Sequence, residues 1–257
     1  MWRAKAPDPV LVKLFTKARE KYDLAPLVIH DSYLINLASV TPALHAQSVD
    51  AFRGELERAI AIGADYLVMH PGNCKGHTCE EGILNIVKGI ALAASGLKSK
   101  KLEILLENTA GAGNSIGVKF EELALIRKLA EKFVPFPVNY CLDTCHCYSS
   151  GLYDVSTEAG LKHTVEQAKS ILGLDNVKVI HCNDSKGAHG SHVDRHQHIG
   201  KGYIGLEGFR RILNHPKLRS KAFILETPVD EEGDERRNLD TLKDLCRKSS
   251  STTKKLS

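Results

Sequence analysis

The run VKVIH, residues 177–181, decides how the rest of the chain is read. Two valines and an isoleucine surround one lysine, and the run stops on a histidine. So short an apolar run fits a strand buried on both faces. Its last residue can bind a metal ion. The same form recurs in PLVIH ending at His30, DYLVMH at His70, LEILLE at Glu107, VNYCLD at Asp143 and AFILE at Glu226. The ends fall about 40 residues apart, enough for one strand, one helix and their loops. A single His or Glu after an apolar run is commonplace, but six in register are not.

Between the runs lie helical patterns: SVDAFRGELERAIAIGA, EEGILNIVKGIALAASGL, FEELALIRKLAEKF, GLKHTVEQAKSILGL and GLEGFRRILNH. Strand and helix alternate, which predicts a parallel sheet with crossover helices. A TIM (β/α)8-type barrel gathers the C-terminal ends of its strands into one mouth, where active sites sit. The polar residues occupy those ends. Six βα units are recognisable, and residues 1–26 offer one helix, PVLVKLFTKAREKY, with no strand. The expectation is therefore an incomplete barrel forming one domain over residues 1–247. The polar stretch KSSSTTKKLS, residues 248–257, reads as a disordered tail.

The bulk composition sets limits. The 257 residues are 42% hydrophobic and 26% charged, which allows a sizeable core. A net charge of +4 permits an anionic partner without demanding one. No apolar run reaches the roughly 20 residues of a membrane helix, and MWRAKAPDPV has no apolar signal core. Cys141, Cys145 and Cys147 crowd together in an odd-numbered set of seven, which suggests reduced thiols in an intracellular compartment.

Two clusters add to the six strand ends. In LDTCH, His146 stands three residues after Asp143. In VDRHQH, Asp194 and His196 stand two apart and share a side of an extended loop. The candidate ligands are then His30, His70, Glu107, Asp143, His146, His181, Asp194, His196 and Glu226. They exceed what one tetrahedral ion takes and suit two or three ions, with Glu107 or Asp143 bridging. Such a site is suited to phosphate ester hydrolysis. No G-x-S-x-G turn competes, and NTAGAGNSIG reads as a tight loop rather than a nucleotide-binding fingerprint.

At these residues the sequence resembles the endonuclease IV family of apurinic/apyrimidinic (AP) endonucleases. HDSYLINL, HPG, ENTAGAG, CLDTCH, HCNDSK, VDRHQHIGKGYIG and ILETP follow one another in family order from about residue 28 to 228. The resemblance implies a zinc-dependent enzyme that cuts duplex DNA 5′ to abasic sites in base excision repair, leaving a 3′-hydroxyl and a 5′-deoxyribose phosphate. It implies three zinc ions, with manganese as a possible substitute. His30 and His70 would hold the first and Asp143, His181 and Glu226 the second, with Glu107 bridging them. His146, Asp194 and His196 would hold the third. Glu107, Asp143 and Glu226 would be the catalytic carboxylates. Tyr33 and Leu34 match the loop that wedges into the minor groove, and Lys186, Arg195 and Lys201 are candidate phosphate contacts. The glycines at 200, 202 and 205 would let their loop lie close to DNA.

The family begins with a GAHVS-like strand, a helix, a second strand and a FTKNPR-like loop before a W-R pair, whereas here Met1 directly precedes Trp2 and Arg3. The chain is thus expected to start after the second strand and to lack an arginine-bearing DNA loop. Two other readings stand beside the nuclease. One is a metal-dependent sugar isomerase or epimerase on the same barrel type. The other is a truncated, non-catalytic remnant. A DNA substrate implies the cytoplasm in a bacterium and the nucleus or mitochondrion in a eukaryote, and the family implies a monomer.

Overall fold

The computed structural model describes residues 5–246. Both the proposed tail at 248–257 and the Trp2–Arg3 pair lie outside them. The elements run in chain order α1 (Pro9–Lys21), β1 (Val28–His30), α2 (Pro42–Ile62), β2 (Tyr66–Met69), α3 (Cys79–Ala94), β3 (Glu103–Glu107), α4 (Phe120–Ala130), β4 (Val138–Asp143), α5 (Thr144–Ser149), α6 (Glu158–Ile171), β5 (Val177–His181), β6 (Asp184–Ser185), β7 (His196–Gln197), α7 (Gly205–Asn214), β8 (Ala222–Ile224) and α8 (Asp234–Cys246). All six expected strands form, in one parallel sheet of order β1-β2-β3-β4-β5-β8. Among the described residues this sheet is an open part of a barrel with β1 and β8 at its edges.

The helices form where their ends are specified. Asp8 caps α1 and a proline follows it at the first helical position. Thr78 and Glu81 make a reciprocal capping box at the start of α3. Gly63 ends α2 in the left-handed conformation, which costs glycine little. No described helix is long and apolar enough to cross a membrane.

Two apolar layers flank the sheet. Outward-facing strand residues such as Leu67, Met69, Ile104, Leu106, Leu142 and Ile180 pack under the helices. Inward-facing Val68, Leu105, Cys141 and Val179 form a smaller fully buried layer, extended by half-buried Val28 and Ile224 at the edges. Successive side chains on a strand alternate faces, so the residue two positions after an inward one is also inward. Counting two from Val28, Val68, Leu105, Cys141, Val179 and Ile224 gives His30, His70, Glu107, Asp143, His181 and Glu226. The strand period therefore stacks the six polar residues as the next layer above an apolar plug.

Candidate metal centre and nucleic-acid face

Glu107 stands at the middle of this layer and is fully buried. Its Oε2 lies 3.0 Å from Nε2 of His30 and 3.8 Å from Nε2 of His70. Its Oε1 lies 2.9 Å from Nδ1 of His181 and 3.5 Å from Nδ1 of His146. One carboxylate thus faces two separate sets of imidazoles. Glu226 Oε2 reaches the second set, 3.1 Å from His181 Nδ1. Donor atoms gather within 4.8 Å of one another in three groups made of expected residues: His30, His70 and Glu107; Glu107, Asp143, His181 and Glu226; and Asp143, His146 and His196.

The third group is built from loops. Asp143 ends β4 and also caps α5, accepting the His146 N–H at 2.8 Å. One turn of helix therefore brings His146 back over the sheet. Asp194 and His196 arrive on the hairpin of β6 and β7. Asp194 Oδ1 is 3.1 Å from Nε2 of His146 and 3.8 Å from Nε2 of His196. Asp194 is half exposed, with its side chain at 51%, whereas His146 is buried.

Main-chain carbonyls aim three of the rings. Nδ1 of His30 bonds Asp31 O at 2.8 Å, that of His146 bonds Asn108 O at 2.9 Å, and that of His196 bonds Glu226 O at 2.9 Å. Each ring then turns Nε2 to the centre, as metal-binding histidines do when their other nitrogen is anchored. Nε2 of both His146 and His196 is buried without a hydrogen bond, Asp194 lying close to His146 but out of line. Buried polar atoms are seldom left so. A divalent cation fits these nitrogens and the oxygens opposite them.

The protonation pattern agrees. Burial disfavours the charged form of Glu107, but His181 and His70 outweigh it and hold the carboxyl well below its usual range. Burial would likewise lower His30 and His146, yet Glu107 lifts the first to about 9, and Asp143 with Asp194 lifts the second to about 10. His146 in turn draws Asp194 down to about 2. His70, where burial dominates, is lowered. Acid and base are matched inside the cluster, and a divalent cation competes for the same lone pairs as these protons.

Beside the centre opens a cleft of about 250 Å3, lined among others by Asp31, Tyr33, Asn36, His70, Asn73 and Asp194. Tyr33 projects from the loop after β1 and is 86% exposed, while Leu34 is half-buried and does not line the cleft. Lys186, Arg195 and Lys201 are exposed on the loops around β6 and β7. Arg195 turns its guanidinium to the main-chain oxygen of Asp194.

Gly202 also packs against the protein's own interior. A side chain at Gly202 would collide with Ser185 O and the carboxylate of Asp184. Fully buried Asp184 accepts main-chain N–H groups from Ser185 (2.8 Å), Gly200 (2.8 Å), Gly202 (3.0 Å), Ile204 (3.0 Å) and Gly205 (3.4 Å). Gly202 is thus required by a carboxylate inside the protein. His198, without a metal role, bonds Asn238 of α8.

Sequence reasoning did not place three residues at the site. Cys141 falls within donor range of Glu107 and His181. Burial pushes its thiol up to about 12, so it behaves as part of the apolar layer. Asn108 and Asn183 both bond Asp143, at the end of β4. Both stand inside quoted motifs, but a buried amide carries no periodicity or charge signal.

The chain matches the family described as xylose isomerase-like TIM barrel over residues 2–247. It is 60% identical over 246 residues to a probable endonuclease 4 of Solibacter usitatus, covering 96% of this chain and 84% of that protein. Superposition on the crystal structure of endonuclease IV from Thermus thermophilus gives a TM-score of 0.81 at 37% identity, over 95% of this chain and 84% of the other. A D-tagatose 3-epimerase-like protein aligns with a TM-score of 0.67 at 19% identity over 93% and 83% of the two chains, which is a likeness of fold alone.

Proposed function

Since the chain belongs to the endonuclease IV family, within the xylose isomerase-like TIM barrels, we propose that it is a zinc-dependent AP endonuclease of base excision repair. Its substrate is duplex DNA carrying an abasic site, cut on the 5′ side to leave a 3′-hydroxyl and a 5′-deoxyribose phosphate. The observation that carries this reading is the placement of Glu107, whose two oxygens face His30 with His70 on one side and His181 on the other.

Three ions would use the donors on hand. His30, His70 and Glu107 hold one; Glu107, Asp143, His181 and Glu226 hold the next; His146, Asp194 and His196 hold the last. Zinc suits this mixture of imidazole and carboxylate, and manganese is the natural substitute. Bound there, the ions would activate water and stabilise the charge on the attacking and leaving oxygens of a phosphodiester.

The protein's own groups supply the frame. The carbonyls of Asp31, Asn108 and Glu226 anchor Nδ1 of three imidazoles and leave Nε2 facing the centre. The apolar layer below excludes water from the underside of the carboxylates. Tyr33 stands free beside the cleft, where an aromatic ring can fill the space left by a flipped-out nucleotide. Arg195, Lys186 and Lys201 supply positive charge for the phosphate backbone. The protein acts as a monomer in whichever compartment holds DNA, the cytoplasm in a bacterium.

A duplex with one tetrahydrofuran abasic analogue tests the reading. A single nick 5′ to the analogue is expected with zinc present, and chelation should abolish it. An intact duplex at every zinc concentration would overturn the assignment. The epimerase reading rests on fold alone, and conversion of a ketose without DNA cleavage would restore it.

A further inference from the structure

Asn183 lies two residues beyond His181, is fully buried, and belongs to none of the donor groups. Its main chain is clamped to the start of α5: Thr144 Oγ1 accepts the Asn183 N–H at 2.9 Å and donates to the Asn183 carbonyl at 2.7 Å. With its backbone fixed twice, the amide has little freedom. Its Nδ2 donates to Asp143 Oδ2 at 2.6 Å and to Glu226 Oε2 at 3.2 Å. Its Oδ1 accepts the N–H of Glu226 at 2.8 Å. Flipping the amide would set an oxygen against two carboxylates and an amino group against an N–H, so the partners fix its orientation.

The contacts reach further through Glu226. The Glu226 carbonyl holds Nδ1 of His196, so the main-chain segment that Asn183 pins is also the one that aims the His196 ring. One neutral amide therefore ties together the ends of β4 and β8 and the hairpin strand β7. His30 and His70 receive nothing from it.

Resting on the endonuclease reading, we infer that Asn183 is a positioning residue for the half of the metal centre made by Asp143, Glu226 and His196. It sets the spacing of two like-charged carboxylates by giving each a neutral donor. It occupies one lone pair on each bonded oxygen and leaves another for a cation. A carboxylate in its place would add a further negative charge beside Asp143 and Glu226, and an apolar residue would remove the acceptor of the Glu226 N–H and one donor from each carboxylate.

The test uses Asn183→Leu, which removes the donors and keeps water out, and Asn183→Ala, which removes them with the least strain should the first variant fail to fold. Zinc affinity is read by competition with a chromophoric chelator, without DNA, and nicking is read separately as kcat and KM. Loss of a partner behind the ligands typically lowers metal affinity or activity about 10–100-fold, and that loss is expected in zinc affinity and kcat. KM should hold, because Tyr33, Lys186, Arg195 and Lys201 make no bond to Asn183. Asn139→Ala is the control. Asn139 is a buried amide on β4 bonded to Glu103 at the far end of the barrel. It should lower the melting temperature and leave zinc affinity intact. A folded Asn183 variant that binds zinc and turns over like the parent overturns the inference, as does an Asn139 variant that loses zinc equally. If the parent binds zinc but never nicks DNA, the endonuclease reading fails and the chelator result still decides the role of Asn183.

Discussion

Replacing Asp184 by asparagine isolates what one buried carboxylate contributes to the loop that carries Lys201. Oδ1 accepts from Ser185, Ile204 and Gly205, and Oδ2 accepts from Gly200 and Gly202. An asparagine keeps one oxygen. Its better orientation leaves that oxygen with three donors and turns the amino group against the N–H groups of Gly200 and Gly202. Two hydrogen bonds to a charged group are lost, each contributing about 1.5–3 kcal/mol. Gly200 and Gly202 are only half-buried, so water can recover part of the loss. The expected cost is near the lower end, about 3 kcal/mol. That is a large share of a typical net stability of roughly 5–15 kcal/mol. Urea unfolding followed by circular dichroism, with zinc saturating in both proteins, measures it. A second readout is local: trypsin should cut after Lys201 faster in the variant, because cleavage needs the loop to open. A cost below about 1 kcal/mol, the size of an ordinary neutral hydrogen bond, together with unchanged cleavage, would refute the claim that the carboxylate organises the loop.

Other perturbations separate the remaining roles. Tyr33→Ala should weaken binding of an abasic duplex by about 1–3 kcal/mol, the range for lost aromatic stacking on a base, while the melting temperature stays put because the residue is 86% exposed; fluorescence anisotropy and thermal melts together check this. Chelation should lower the melting temperature and zinc should restore it, since one site at 100-fold excess over Kd adds about 2.7 kcal/mol, or roughly 5–10 °C for a chain of this size; scanning calorimetry with and without zinc decides. Asp65 should contribute acid-labile stability. Burial works against its charge, but hydrogen bonds from Lys101, the Leu27 N–H and Arg19 prevail and lower the carboxyl. The lowered folded-state value means the contribution is complete above the ordinary aspartate value of about 3.9 and is lost as pH falls through the folded one. Parent and Asp65→Asn should therefore differ in stability at neutral pH and converge in acid, as urea midpoints across pH would show.

Much of the site was legible because strand periodicity is short and unforgiving. A run such as LEILLE marks where its strand ends, and the structure then shows which face is inward. Leu105 is inward, so Glu107 is inward too, with no dependence on distant chain. His146 was within reach by spacing, but the device that delivers it, Asp143 serving as both strand end and helix cap, shows only in three dimensions. Asp194 and His196 owe their place to a hairpin of two-residue strands, too short for any periodic signal. Helix α8 went unread for another reason. Its sequence DERRNLDTLKDLC is dominated by charge, and its buried face is narrow, with Asn238, Leu242 and Leu245 among the few residues inside. Yet Asn238 bonds the Ile199 N–H and the His198 ring, so a helix that looks solvent-bound in sequence braces the loop next to the ligands.

Strand pairing and burial also order the proposed ligands. Glu107, Asp143 and His181 end the three consecutive strands β3, β4 and β5, each paired on both sides, and all three are buried. His30 ends β1 and Glu226 follows β8 by two residues; among the described residues these strands are paired on one side only, and the two side chains are 26% and 31% exposed. Edge strands have unpaired backbone on one side and fray at lower free energy. Glu107, Asp143 and His181 therefore form the most enclosed part of the proposed centre, and His30 and Glu226 approach it from its more exposed sides. Glu226 is the edge ligand that has been reinforced, through the main-chain and side-chain bonds to Asn183. His30 depends instead on Glu107 and on its neighbour's carbonyl. A cation held between His30 and Glu107 would tie the end of β1 to the end of β3, so metal binding should add to the stability of β1.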